Sequence, residues 1–410
     1  MMKKTLVAAA IMALGGGIGT ASASNVTLYG VVDTGILFQS AGGDLNTSFG
    51  NAKLKRENTT QMASGITAGS RWGLKGVEDL GGGNSVGFVL ESGFDSDNGE
   101  QGLNGRAFGR EAQIYISSND FGTLSLGRVG NLNSGNGTFG LTSELSPFGT
   151  SFGSAAANAS NVMSGFDRYD NTITYRSPKF AGFNVYAQYS LDTDSNADYD
   201  GEGLHGVEGK FTVDRYYAIG ATYANGPLNL AAVIDRTDYS RLKWGGEGFG
   251  KLDDSIAVTF GGNYAFEAAK VYFGAQYFKD ADINSIDGLT QYSDFDEEDY
   301  LSAVLIQTKG YGFTVGADIP LAGGTFKIGT SVLDGEINKI NGYDISDFGA
   351  NIDVKRWNTS VGYAYALSKR TALYGVANYS YTSYDAKIAT IKAELEPTVF
   401  QAGVGIVHKF

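Results

Sequence analysis

The sequence has no cysteine, only two histidines and only five prolines in 410 residues. Without cysteine the chain has no disulfide framework, no thiolate metal ligand and no thiol nucleophile. His205 and His408 belong to no motif that joins a nucleophile, a general base and an orienting group. We therefore expect neither an enzyme nor a protein that depends on a cofactor or metal. The scarcity of proline suits long hydrogen-bonded strands.

Long hydrophobic runs and an excess of basic charge are also missing. Beyond the N-terminal region, the longest apolar stretches, such as residues 230–234, have about five residues, and a membrane-spanning helix needs ~20. Acidic residues outnumber basic residues by 44 to 31, whereas a nucleic-acid-binding surface is basic. The sequence thus argues against helical membrane spans and against a nucleic-acid partner.

One short apolar stretch lies at the N-terminus. Residues 6–14 follow Lys3 and Lys4 and precede the triplet Ala21-Ser22-Ala23. A positive segment, a short apolar segment and a small-residue cleavage site are the layout of a secretory signal peptide. We expect residues 1–23 to be removed and residues 24–410 to form one domain. An N-terminal membrane anchor is the alternative, but the stretch is short for a spanning helix.

Glycine, tyrosine and phenylalanine are abundant, with 59, 24 and 24 residues. They lie in segments whose hydrophobicity alternates with a period of two, which indicates β-strands. The segment 398–410 places Phe400, Val404 and Ile406 on one face and mostly small or polar residues on the other. A soluble sandwich would show the same alternation, so a single strand does not decide between the two folds.

The number and length of these segments favour a membrane barrel. Sixteen segments alternate in this way and many exceed ten residues, whereas globular strands average about five or six. Short turns alternate with longer polar segments, among them residues 40–68, 131–170 and 384–395, which is typical of outer-membrane barrels. Because a sheet can span lipid only when it closes without an edge, we predict an all-β fold, a transmembrane antiparallel barrel of sixteen strands with a water-filled interior.

Five further segments are informative, at residues 26–33, 70–81, 121–128, 365–371 and 407–410. Together and in this order they resemble the Gram-negative general porins, especially those of the β-proteobacterial and neisserial type. The resemblance implies a homotrimer of sixteen-stranded barrels in the bacterial outer membrane, surrounded by lipid and lipopolysaccharide. Each barrel would be a channel for passive diffusion of small hydrophilic solutes and ions.

The same resemblance implies roles for two parts of the chain. The third long loop, residues 131–170, would fold inward and constrict the pore; the alternative is an exposed flexible loop. Phe410, the last residue of the terminal strand, would belong to the signal that the barrel-assembly machinery reads.

Charged residues within strands indicate which face meets water. Arg71 and Lys75 alternate with apolar neighbours on their strand, and Glu91 and Arg176 do so on theirs. A charge on the lipid-facing side costs ~2–4 kcal/mol at the bilayer midplane. We therefore expect all four side chains to point into the lumen.

Porins of this type place three arginines at the constriction, and local motifs match them to Arg71, Arg110 and Arg168. Arg110 shares its phase with Ile114, which would face outward, so an inward side chain would need a bulge or a strand that faces the central loop. Glu144 is the candidate for an opposing acid on the loop. Fixed arginines would favour anions, so a weak anion preference is expected.

Other interpretations remain open. Some arginines would only brace the wall if they pair with Glu91 or Glu111. The barrel would be a substrate-specific channel if its lumen held a saturable site, or mainly an adhesin or receptor. Residues 192–203 begin like a calcium-binding loop but lack its glycine and final glutamate, so we expect a solvated acidic loop.

Overall fold

The computed structural model describes residues 26–103, 105–149, 158–196, 206–240, 252–282 and 306–410. The predicted signal peptide and His205 lie outside these residues. In the described ranges no helix is long and apolar enough to cross a membrane. The described strands are β1 (Thr27–Thr47), β2 (Gly50–Ser64), β3 (Arg71–Gly81), β4 (Asn84–Gly93), β5 (Glu111–Ser118), β6 (Gly122–Gly130), β7 (Arg168–Arg176), β8 (Phe183–Ser190), β9 (Arg215–Asn225), β10 (Leu228–Asp238), β11 (Ser255–Ala265), β12 (Lys270–Ala281), β13 (Ile306–Leu321), β14 (Gly324–Ile340), β15 (Tyr343–Asp344), β16 (Ala350–Ala366), β17 (Thr371–Ile388) and β18 (Ile391–Lys409). Within the described ranges, two short 3-10 helices span Ala159–Asn161 and Ile345–Phe348.

The strands form because apolar and polar side chains alternate along them. In β11, Ile256, Val258 and Phe260 are exposed, whereas Ala257 and Thr259 between them are buried. Successive side chains of a strand point to opposite faces of the sheet. One face of the sheet is therefore apolar and exposed, and the other carries the polar residues.

Sixteen of the strands form a closed antiparallel ring, which confirms the predicted fold. Strands β3 to β14 pair in chain order, β14 pairs with β16, and β1 joins β18 to β3. Phe410 completes the ring, because its backbone N–H and C=O exchange hydrogen bonds of 3.1 Å with those of Gly30. Strand β2 pairs only with β1, and the two-residue β15 only with β14. Closure of the sheet leaves no open edge in the lipid.

Two segments expected to be loops are largely strand, which corrects the sequence prediction. Within residues 40–68, β1 continues to Thr47 and β2 occupies Gly50–Ser64. Within residues 384–395, β17 and β18 continue to a tight turn at Ala389. Backbone pairing extends past the apolar part of these strands, where both faces become polar and the alternation that identifies a strand disappears.

The third long loop folds inside the barrel. It runs from residue 131 to residue 167, because β7 already begins at Arg168, and its residues 150–157 lie outside the described part. Side chains from five strands share hydrogen bonds with it: Gln188, Thr259, Gln276, Lys327 and Arg356. Only a loop within the ring can reach strands as far apart as β8 and β16, so the face that it contacts is the inner face.

The buried core lies between this loop and the inner wall. Leu132 and Phe139 of the loop pack with Tyr186 and Tyr216 of the wall. Two further apolar clusters surround Leu145 and Phe148. Burial of each large apolar side chain contributes ~1.5–3 kcal/mol, which holds the loop against the strands.

Candidate functional site

A group of charged side chains lies on the inner face where β3, β4 and the start of β5 meet. Glu91 of β4 is its centre and is only 8% exposed. Its Oε1 accepts a hydrogen bond of 2.7 Å from Nε of Arg110, and its Oε2 accepts one of 3.0 Å from the Tyr29 hydroxyl. The Oε2 atom also lies 3.6 Å from Nε of Arg71. These partners stabilise a carboxylate that has little contact with water.

Strand register places Arg71 and Lys75 on the same face as Glu91. Gly73 of β3 lies directly opposite Glu91, so Arg71 and Lys75, two residues to either side, share its face. Lys75 is exposed, and its Nζ lies 5.0 Å from the centre of the Tyr29 ring, a cation–π distance.

Arg110 also turns toward the inner face. It lies one residue before β5, and the register between β4 and β5 shows no bulge. Its backbone N–H donates to the Glu91 carbonyl at 3.1 Å. Because Arg110 precedes the strand, the pleat does not fix its direction, and neither the bulge nor the loop-facing strand invoked for it is needed.

Arg168 reaches the same place from β7. Its Nη2 donates to Oδ1 of Asn136 in the loop at 3.0 Å, and its Nε is buried without a hydrogen-bond partner. The positive charge of Arg110 repels both Arg71 and Arg168. The structure thus brings together the three arginines selected from the sequence. We refer to Arg71, Arg110 and Arg168 with Glu91 as the arginine cluster.

Two other selected residues make their contacts elsewhere. Arg176, at the short-turn end of β7, donates to the Thr123 hydroxyl at 3.3 Å. Glu144 accepts hydrogen bonds of 2.5 Å from Lys270 and 3.0 Å from Asn263. Its carboxylate is therefore paired with a lysine of the opposite wall and does not stand unpaired across from the arginine cluster.

Sequence reasoning missed Tyr29 and underrated Glu111. Glu111 is buried, and its two oxygens accept hydrogen bonds of 2.8 and 3.1 Å from the backbone and hydroxyl of Thr138 in the loop. It fastens the loop to β5 and does not brace an arginine, whereas Glu91 pairs with two. Phase would have placed Glu111 inside, since it alternates with Ile114, but phase could not identify its partner.

The chemistry of the cluster is that of a fixed positive site. Glu91 pairs with two of the three guanidinium groups, and the cluster keeps a net positive charge, since arginine does not lose its proton in proteins. Within the described ranges, no three His, Cys, Asp or Glu side chains are grouped so that they could hold a metal ion.

Comparison with known proteins agrees with this geometry. Residues 7–386 match the Gram-negative porin family. The chain is 34% identical to an outer membrane porin protein of Bordetella pertussis over 100% of both chains. It is 31% identical to outer membrane porin protein 32 of Delftia acidovorans, over 91% of this chain and 88% of the relative. The anion-selective porin from Comamonas acidovorans has a similar structure, with a TM-score of 0.57 and 25% identity, covering 95% of this chain and 100% of that one. The chain therefore belongs to the Gram-negative porin family and is a channel of the bacterial outer membrane.

Proposed function

We propose that this channel passes small hydrophilic anions in preference to cations and that the arginine cluster makes the selection. The observation that carries the proposal is the grouping of Arg71, Arg110 and Arg168 on the inner face, where Glu91 pairs with only the first two of them. The similarity to a porin described as anion-selective supports it. The formal net charge of −13 does not oppose it, because the charges that line the lumen set selectivity.

The electrostatic argument depends on where the charges are fixed. Hydrogen bonds to Glu91 and Asn136 hold Arg110 and Arg168 in place. A cleft that is lined by one sign of charge and has walls of low dielectric constant raises the local concentration of the opposite ion. Anions would thus be enriched at the narrowest part of the path, and cations would be depleted there.

We also propose that the loop of residues 131–167 forms the constriction. Arg71, Lys75, Glu91, Arg110 and Arg168 would line it, and Arg176 would lie nearer the short turns. Glu144, paired with Lys270, would fasten the loop to the opposite wall. The far side of the passage would then lack an unpaired acidic pole, so that the positive side dominates.

Three further proposals concern assembly. Residues 1–23 would be a cleaved signal peptide, and the barrels would associate as homotrimers surrounded by lipid and lipopolysaccharide. Phe410, whose side chain is 43% exposed, would be part of the signal for the barrel-assembly machinery. Its exchange of backbone hydrogen bonds with Gly30 supports a part in closing the ring. A channel of this kind needs no catalytic residue or cofactor.

Reversal potentials in planar bilayers under a KCl gradient test the selectivity. We expect chloride preference in the natural sequence and a chloride-to-potassium permeability ratio at least roughly two-fold lower when Arg71→Gln and Arg110→Gln are combined. Arg370→Gln, in an exposed turn, is the matched control and should leave the ratio unchanged. Cation preference in the natural sequence would contradict the proposal.

The same recordings separate the alternative functions. A general channel conducts in proportion to solute concentration, whereas a substrate-specific channel saturates with its solute. A barrel that acts mainly as an adhesin would give no steady conductance.

A further inference from the structure

The chain leaves the barrel wall between β2 and β3. Ser64 still pairs with Thr34 of β1, and Arg71 pairs with Val31. The six residues in between, 65–70, therefore lie opposite only two residues of β1 and fold toward the interior. Ile66 is 5% exposed and packs against Phe148 at the loop. We call residues 65–70 the inward turn.

A single buried carboxylate holds the middle of the inward turn. Asp33 of β1 is 0% exposed. Its Oδ2 accepts hydrogen bonds from the backbone N–H of Thr67 and of Ala68, both at 2.8 Å, and from the Thr67 hydroxyl at 2.6 Å. Its Oδ1 accepts one from the Tyr374 hydroxyl at 2.6 Å. Four donors replace the hydration of a buried charge.

The backbone of Asp33 binds both ends of the same turn. Its carbonyl accepts from Gly65 N–H at 2.9 Å and from the Ser70 hydroxyl at 3.1 Å. Its N–H donates to the Ser70 Oγ at 3.1 Å. One residue of β1 therefore fixes the start, the middle and the end of the inward turn.

The inward turn also contacts two arginines of the arginine cluster. Nη1 of Arg71 donates to the Gly69 carbonyl at 2.9 Å. Arg110 lies so close to Gly69 that a Cβ atom at this position would be 3.0 Å from its Nη1. Glu91 contacts Nε of the same two arginines at 3.6 and 2.7 Å. Both guanidinium groups thus lie between Glu91 and the inward turn.

We infer that Asp33 is a positioning residue for ion selectivity, acting through the inward turn on Arg71 and Arg110. The inference rests on the proposed role of the arginine cluster. It also predicts an unusual direction for the change in anion preference when Asp33 is replaced. As a charge, Asp33 would weaken anion preference, so its removal should strengthen it. As a positioning residue, its removal should weaken anion preference, because the two guanidinium groups lose the carbonyl and the packing surface that orient them.

Asp33→Asn tests this sign in planar bilayers under a KCl gradient. The neutral amide accepts more weakly than the carboxylate, and its NH2 group can satisfy only the Tyr374 side while its oxygen faces the turn. The inward turn is therefore held less firmly, and we expect the chloride-to-potassium ratio to fall at least roughly two-fold, although a negative charge has been removed. Asp235→Asn is the matched control, since Asp235 is also buried on the inner wall and accepts a tyrosine hydroxyl hydrogen bond, from Tyr216 at 2.9 Å. The control should keep the ratio or raise it.

Two uncharged changes decide the matter if Asp33→Asn does not fold, as judged by its heat-modifiable mobility on gels. Gly69→Ala places a methyl group against Arg110 and meets no positive backbone φ. It should lower the ratio without any change of formal charge. Thr67→Val removes one donor to Asp33 and should lower the ratio, whereas Thr67→Ser keeps the donor and should restore it.

The inference is overturned if Asp33→Asn raises the chloride-to-potassium ratio or leaves it unchanged, or if Gly69→Ala and Thr67→Val leave it unchanged. All shifts are measured relative to the natural sequence. The sign of the potential of the natural sequence therefore tests the proposed function, and the direction of the shifts tests the role of Asp33.

Discussion

Glu91 sets the strength of the arginine cluster at the residue scale. Its carboxylate is shared by Arg71 and Arg110, so it both lowers the net charge and relieves the repulsion between them. Breaking a buried ion pair by removing one partner is strongly destabilising. Glu91 therefore weakens the anion preference of the channel and stabilises the folded barrel.

Glu91→Gln separates these two effects. It should raise the chloride-to-potassium ratio at least roughly two-fold, because one negative charge leaves the cluster, and it should lower the apparent melting temperature in detergent. Asp79→Asn, in the exposed end of β3, is the control for loss of an acidic charge. An unchanged ratio in Glu91→Gln would show that the cluster does not face the ion path.

Asp214 makes the stability of the protein depend on pH. It lies in the segment before β9, and its Oδ1 accepts a hydrogen bond from Ser240 N–H. Removal of its carboxyl group from water, with smaller contributions from the nearby carboxylates of Asp192, Asp194 and Asp254, raises its pKa to about 6. The unfolded chain ionises near ~3.9, so this group costs stability as the pH rises from that value through about 6.

Asp214→Asn should remove this cost. The variant should melt at the same temperature as the natural sequence near pH 4 and at a higher temperature near pH 7.5, where the natural carboxylate is charged. Melting in detergent across this range measures the difference. A difference of equal size at both pH values would contradict the account.

Phase along a strand predicts the direction of a side chain but not its partners. Arg71 could be placed from the sequence, since it lies within a regular strand and the period of two applies. Arg110 could not, because it lies before β5 and its contact with Glu91 directs it. The pairing of Glu144 with Lys270 joins residues 126 positions apart, and no local pattern reports it.

At the scale of structural elements, two lysines hold the third long loop, residues 131–167, against the opposite wall. Lys270 binds Glu144, and Lys327 donates to the Pro147 carbonyl at 2.9 Å while it pairs with Asp318. Phe148 packs beside this attachment and is 2% exposed. The position of the loop therefore depends on contacts with strands on the opposite wall.

Lys327→Met should loosen this attachment. We expect more open-channel current noise and more subconductance events in single-channel recordings, because the Pro147 carbonyl loses its donor. Lys309→Met is the control, since Lys309 pairs with Glu336 at 3.0 Å on a half-exposed part of the strands. Equal noise in the two variants would mean that Lys327 does not restrain the loop.

Element boundaries were predictable only where one face of the strand is apolar. The alternation reveals the membrane-spanning part of β1 and β18, which faces lipid. Strand β2 has few apolar residues on either face, and its Lys53, Arg56 and Glu57 are exposed. Residues 40–68 were therefore predicted to be a loop. The inward turn could not be predicted either, because the hydrogen bonds that Asp33 makes with it join residues more than thirty positions apart.

The fold of the whole molecule was the most predictable level. Strand number, alternation of short and long connections and lack of helical spans together require a closed sheet. The register shows how closure is achieved, with β18 paired to β1 and Phe410 bonded to Gly30. Gly30 is needed at this contact, because a Cβ atom there would lie 2.3 Å from the Phe410 ring.

The charge pattern of the whole molecule gives the central claim its force. The chain is acidic overall, with a net charge of −13, yet three arginines lie together on the inner face of the barrel and Glu91 pairs with only two of them. An ion in the passage meets the fixed charges nearby more strongly than the distant surface, whose field is screened within ~10 Å at ordinary salt. The net charge of the chain would therefore predict cation preference, whereas the charges that line the lumen predict anion preference.

The reversal potential of the purified natural protein in a KCl gradient tests this claim most directly. The account predicts a potential with the sign of chloride preference, which the paired change Arg71→Gln with Arg110→Gln reduces and Arg370→Gln does not. A potential with the sign of potassium preference, unaltered by the loss of both arginines, would contradict it.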